Sequence, residues 1–283
     1  MRISEFTARR QMLKAPSGDI AYTESGAGPA AVFVHGLATN GALWRHVIEQ
    51  VDGTTRCIAV DLPLHGGTPP QKDPSVTAMA QLIVDLCQGL GLDRIDLVGN
   101  DTGGVIAQIV AASHPGLLRS LVLTNCDTEG NFPPPAFMPV IEAAARGALA
   151  PLLTAAAANP AAARMSPLAT GYEHPGEVPD EVWRNYLTPV GGTIERARLF
   201  ERMLAALDPA ELAAVSGRLG RLDVPVLLVW GTAEEALGVE WAYRLRDLIP
   251  GAREVVEVDG GKLFFPEERP EQLAVQLRRH WAR

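Results

Sequence analysis

The run Gly99-Asn100-Asp101-Thr102-Gly103 has the spacing of a turn that presents a nucleophile, G-x-Nuc-x-G, with a carboxylate at the centre where serine is usual. The apolar stretch Ile95-Asp96-Leu97-Val98 precedes it, and a helical pattern from Gly104 to Ala112 follows. Strand, sharp turn and helix are the context this spacing needs. Such a turn strains the backbone of its central residue and brings neighbouring chain close, so small residues must flank it. The central side chain then stands at the top of a sheet, beside the positive N-terminus of the next helix. An aspartate held there has three chemical uses: attack on carbon, uptake of a proton, or binding of a cation. A G-x-D-x-G in an ordinary loop would be no more than a turn, and it is the strand–helix context that favours chemistry here.

The elements that must position this aspartate alternate along the chain. Short apolar runs and helical patterns succeed one another, which predicts a parallel α/β sheet. Residues 10–24 read as a hairpin around Ser17-Gly18-Asp19. Ala30 to Val34 reads as a buried strand, Gly41 to Val51 as a helix and Arg56 to Asp61 as a strand. Ser75 to Leu90 reads as a helix with Ser75 as N-cap, and Ser120 to Thr124 as a strand. Regularity stops at Asn131-Phe132-Pro133-Pro134-Pro135. An alanine-rich helical stretch without strand patterns then runs to about Arg221. Alternation resumes at Val224 to Trp230. The expected organisation is a core over 1–130 and 222–283, interrupted by a helical cap over 131–221.

Composition narrows the function. The chain has 283 residues, 47% of them hydrophobic, and a net charge of -8. That is enough for a sizeable core, and the charge disfavours nucleic acid or an anionic membrane as partner. Met1 to Leu13 carries arginines but no apolar stretch, so no signal peptide is expected, and no run approaches the length of a membrane span. Three scattered cysteines form no disulfide framework and fit a reducing compartment, hence a cytoplasmic location. No histidine–carboxylate cluster has metal-ligand spacing, and no dinucleotide fingerprint appears. The expectation is a small-molecule enzyme without cofactor or metal, monomeric or homodimeric.

Four further pieces accompany the turn: Val34-His35-Gly36-Leu37, Asp61-Leu62-Pro63-Leu64-His65-Gly66, Trp230-Gly231-Thr232, and Phe265-Pro266-Glu267-Glu268-Arg269-Pro270. With them the chain resembles the α/β-hydrolase superfamily over about 20–130 and 222–283. The aspartate at the turn resembles the haloalkane dehalogenase and epoxide hydrolase branch. The resemblance implies that Asp101 is the nucleophile, that the backbone N–H groups of Leu37 and Thr102 form the oxyanion hole, and that His35 and Asn100 support the loops. It also implies a second acid after the sixth or seventh strand, for which Asp127 and Glu234 are the candidates. Epoxide hydrolases use two cap tyrosines to protonate the oxirane oxygen, and Tyr172 and Tyr186 are the cap tyrosines available for that role here.

The chain departs from this pattern at its end. The branch's base is a histidine just before the last helix. Here the segment reads Asp259-Gly260-Gly261-Lys262-Leu263-Phe264, and the histidine position aligns with Leu263, which has no proton chemistry. Of the six histidines, His35 and His65 belong to loop motifs, while His46, His114 and His280 lie in helical patterns. His174 alone sits in the cap and is the one candidate to reach a pocket from there. Haloalkane dehalogenases grip the halide with side chains at the positions that are Leu37 and Thr102 here, and Ala38 replaces the proline usual in epoxide hydrolases. Three readings follow. The chain is a hydrolase with another base, such as His174 or a carboxylate-bound water. Or Asp101 is a general acid/base in an isomerisation, elimination or cyclisation. Or the pocket binds a ligand without catalysis. Cap residues such as Phe132, Phe137, Met165, Leu168 and Phe200 point to an uncharged apolar substrate in either enzymatic case.

Overall fold

In a computed structural model describing residues 1–282, the chain forms one eight-stranded sheet. Its strands are β1 (Arg10–Ala15), β2 (Gly18–Ser25), β3 (Ala30–Val34), β4 (Arg56–Val60), β5 (Ile95–Asn100), β6 (Leu118–Thr124), β7 (Val226–Gly231) and β8 (Ala252–Val258). The order is β1-β2-β4-β3-β5-β6-β7-β8. β2 pairs antiparallel with β1 and β4, and every other pairing is parallel. β3, β5 and β7 are buried along their whole length, as continuous apolar runs require when both faces of a parallel sheet are covered.

Before the sixth strand the helices are α1 (Ile3–Ala8), α2 (Arg45–Val51), α3 (Val76–Gly89) and α4 (Thr102–Ser113). Between β6 and β7 lie α5 (Met138–Ala145), α6 (Ala150–Ala158), α7 (Pro160–Ala163), α8 (Asp180–Gly191), α9 (Ile194–Ala205) and α10 (Pro209–Leu219). α11 (Val239–Leu248), α12 (Phe265–Glu268) and α13 (Pro270–Trp281) complete the set. The expected N-cap is present: Ser75 Oγ accepts from the Ala78 N–H at 3.1 Å. The segment Gly41 to Val51 is split, a 3₁₀ turn over Gly41–Trp44 leading into α2.

No strand interrupts residues 131–221. α6 packs on α8 and α9, and α5 on α9, so these helices form their own layer. α10 behaves differently and packs against α4 of the core. Among the described residues, no single helix is long and apolar enough to cross a membrane.

α4 comes very close to the sheet. A β-carbon on Gly103 would lie 2.4 Å from the carbonyl oxygens of Val34 and His35. Only glycine lets the helix start against the end of β3.

A buried ionic cluster fastens the α5–α9 layer to the core. Arg45 of α2 pairs with Glu267 of α12, and both are less than 10% exposed. Tyr172 Oη donates to Glu267 Oε2 at 2.6 Å, and Tyr186 Oη donates to the same carboxylate at 3.1 Å. The Phe264 N–H donates to Gly171 O at 2.9 Å beside them. Removing the acid strands a buried guanidinium and two hydroxyls. Glu267→Ala should therefore lose about 3–5 kcal/mol in urea unfolding. A loss below about 1 kcal/mol would show that the cluster does not fasten the two layers.

Candidate active site

Asp101 occupies the turn between β5 and α4 at φ 56° and ψ -135°, a conformation sparsely populated by non-glycine residues. Its surroundings hold it there. The Asp101 N–H donates to Asn125 O at 2.9 Å, and Asn100 Nδ2 donates to Thr124 Oγ1 at 3.0 Å and Leu263 O at 3.0 Å. Gly36 lies so close that a β-carbon there would be 2.1 Å from Asp101 Oδ2. The Leu37 N–H donates to Asp101 Oδ2 at 3.1 Å, and the Thr102 N–H at the start of α4 also donates to this carboxylate. The two donors implied for an oxyanion hole thus converge on Asp101.

Two neutral histidines set the loop that carries Leu37. His35 Nε2 accepts from the Leu62 N–H at 2.9 Å, with Nδ1 2.6 Å from Gly36 O. His65 Nε2 accepts from the Ala38 N–H at 3.0 Å, with Nδ1 2.9 Å from Pro63 O. Burial lowers both pKa values, that of His65 to about 4, so neither is charged at neutral pH. Their ring nitrogens are committed to backbone, which makes them loop supports and leaves no nitrogen free for proton transfer.

Asp101 lines a cavity of about 710 Å³ between the carboxyl ends of the strands and helices α5–α9. Leu37, Ala38, Thr102, Asp127, Glu234 and Leu263 contribute from the core side. Phe132, Phe137, Leu153, Met165, Leu168 and Phe200 contribute from the other. Among the described residues, the ionisable lining groups are Asp101, Asp127 and Glu234, and no histidine, lysine, arginine, tyrosine or tryptophan lines the cavity. Among the described residues, no group of three or more His, Cys, Asp or Glu is arranged to hold a metal ion.

The three carboxyls are held differently. Glu234 accepts the Ala236 N–H at 3.0 Å and the Leu263 N–H at 3.1 Å. Asp127 is 2% exposed, and its side chain accepts no hydrogen bond from another residue. Gln108 Nε2 of α4 donates to its backbone oxygen at 2.9 Å, which fixes the turn that carries it. Burial, with no cation to offset it, pushes the Asp101 carboxyl up to about 7, and the charge of Glu234 adds to this. Burial and the charge of Asp101 push Asp127 far up as well. Burial also raises Glu234.

Several expected contacts are not made. Tyr172 and Tyr186 spend their hydroxyls on Glu267 and do not line the cavity, so the expected oxirane donors are tied up elsewhere. His174 is exposed at the edge of the α5–α9 layer. Its backbone N–H donates to Glu268, and the side chain stays outside the cavity. Leu263 does line the cavity, on a loop whose oxygen binds Asn100 beside Asp101. Asn125 was not anticipated. Its side chain accepts from Gly231 N and donates to Gly231 O and Leu237 O, joining the ends of β6 and β7. A buried asparagine at the end of an apolar strand is the one signal that pointed to it.

The chain is similar to several known enzymes. It is 26% identical to haloalkane dehalogenase 2 of Mycobacterium tuberculosis, over 92% of this chain and 90% of the dehalogenase. It is 31% identical to epoxide hydrolase 3 of Xenopus tropicalis over 34% of this chain and 27% of that protein. The solved structure of epoxide hydrolase CorEH without ligand superposes with a TM-score of 0.79 at 21% identity, covering 96% of this chain and 98% of that one, a likeness of fold. Residues 29–269 match the family model described as alpha/beta hydrolase fold, and with the strand order and the turn at Asp101 this establishes that the chain belongs to the α/β-hydrolase family of enzymes.

Proposed function

We propose that this protein is a hydrolase that opens an uncharged, apolar epoxide by attack of Asp101 on carbon, with helices α5–α9 acting as the cap that encloses the substrate. The observation that carries this reading is the posture of Asp101. Two backbone N–H groups hold its carboxylate inside a mainly apolar cavity large enough for a drug-sized molecule. A carboxylate has about four lone-pair sites, so two donors leave the rest free to meet a carbon. The ester formed by attack would be cleaved through a tetrahedral oxyanion that the same Leu37 and Thr102 donors stabilise. An epoxide suits the cavity better than a haloalkane. Leu37 and Thr102 stand where halide-gripping side chains are usual, and no indole lines the wall.

A specific observation favours a second reading. No imidazole lines the cavity, and a carboxyl poised near neutral pH is a good general acid or base. Asp101 would then move a proton in an isomerisation, elimination or cyclisation and never form an ester.

The attacking form of Asp101 is the anion. With its proton held up to about 7, turnover of styrene oxide or 1,2-epoxydecane to diol should rise as pH passes through that value. Asp101→Asn should abolish this turnover, and wild-type rates in that variant would refute the reading. The same substitution tests the electrostatics. A carboxyl whose pKa is raised on folding opposes folding once pH exceeds its unfolded value, and the cost is complete above the folded one. Asp101→Asn should therefore raise the melting temperature at about pH 8, by roughly 2–4 °C for each kcal/mol recovered, with the gain shrinking towards about pH 5. A melting temperature equally changed at both values would show that Asp101 is not held up by burial.

A further inference from the structure

We propose that Asp127 is the proton donor and then the base of this site, one carboxyl replacing both the absent histidine and the tyrosines diverted to Glu267. The proposal rests on the reading of Asp101 as nucleophile and adds the groups that the reading lacks.

The geometry singles Asp127 out. Asp101 is engaged by the Leu37 and Thr102 donors, and Glu234 by the Ala236 and Leu263 N–H groups. Asp127 is the remaining carboxyl of the cavity, 98% buried by its 2% exposure and without a hydrogen bond from another residue to its side chain. The Asp101 N–H to Asn125 O bond brings the nucleophile turn against the strand end that leads directly into Asp127. Asp127 feels the charge of Asp101, which together with burial favours its protonated form. Asp101 has two N–H donors and a helix start to stabilise an anion, and Asp127 has neither. The proton therefore resides on Asp127.

That arrangement completes a balanced cycle. Asp101 attacks an oxirane carbon, the C–O bond breaks, and the leaving oxygen takes the Asp127 proton. Attack has now removed the charge of Asp101 as an ester, and Asp127 is left as a buried carboxylate beside it. It takes a proton from water as the hydroxide oxygen adds to the ester carbonyl carbon. The tetrahedral oxyanion collapses, the alkyl C–O group leaves, and it takes the proton that the water left on the Asp101 carboxyl. The diol departs, with Asp101 ionised and Asp127 protonated as at the start. One acid acting first as donor and then as base is the logic of retaining glycosidases.

The test uses Asp127→Asn, which keeps shape, with folding checked by its melting curve. Styrene oxide and 1,2-epoxydecane serve as probes, with rate and intact mass as readouts. The wild type should turn over without a lasting adduct. Asp127→Asn should turn over at least about 10²-fold more slowly and accumulate protein heavier by one epoxide, the modification lying in the Asp101 peptide. Slow turnover in Asp127→Asn with no trapped ester would mark a merely structural role and overturn the assignment of Asp127. Wild-type turnover in Asp127→Asn with no adduct would overturn the assignment of Asp127 and leave Asp101 as nucleophile. Absence of any adduct in Asp127→Asn together with full activity in Asp101→Asn would remove the nucleophile reading, and this inference with it.

Discussion

The turn at Asp101 is the constraint on which the other parts depend. A non-glycine residue at φ 56° and ψ -135° costs on the order of 1–3 kcal/mol and persists only where its neighbours over-determine it. Here they do. β3 ends beneath Gly103, the residue after β6 supplies Asn125 O to the Asp101 N–H, and Asn100 ties the turn to the Leu263 loop. The parallel order β3-β5-β6-β7 brings these strand ends to one edge of the sheet. Once the turn is set, the Leu37 and Thr102 donors, Asp127 and Glu234 fall around one cavity without further design.

What then distinguishes the site is electrostatic. Three carboxyls face a space that, among the described residues, no cation or imidazole lines, and burial favours their neutral forms. A histidine in place of Leu263 would offset that charge and take protons. Without one, the proposed cycle passes protons between the carboxyls themselves, and their unequal supply of hydrogen-bond donors favours the anion on Asp101 and the proton on Asp127. The Arg45–Glu267 cluster makes the complementary choice. Its guanidinium and two tyrosines are consumed in holding the α5–α9 layer, and they add nothing to the cavity.

Much of this was legible in the sequence because its signals are local. The β3, β5 and β7 strands announce themselves as apolar runs, and the turn at Asp101 by glycine spacing between strand and helix. The segment 131–221 stands out by its lack of strand patterns. The loop spacing that aligned Leu263 with the histidine position corresponds to a side chain on the cavity wall. What was not legible depends on long-range pairing. Nothing near Tyr172 or Tyr186 in sequence reveals Glu267, some eighty to ninety-five residues away. Likewise Asp127 and Glu234 read alike as loop acids. Only the fold shows that one is held by two backbone donors and the other is not. α10 has the same helical pattern as its neighbours, and tertiary packing alone assigns it to α4.

The most direct test of the account is where a water oxygen goes in one turnover. Excess wild-type enzyme is mixed with styrene oxide in oxygen-18 water and quenched after a single cycle. If Asp101 attacks carbon, the first diol carries the original carboxylate oxygen, and the heavy oxygen is found in the Asp101 peptide. Heavy oxygen in the diol with an unlabelled Asp101 peptide would mean that water attacked the substrate directly and that Asp101 never formed an ester.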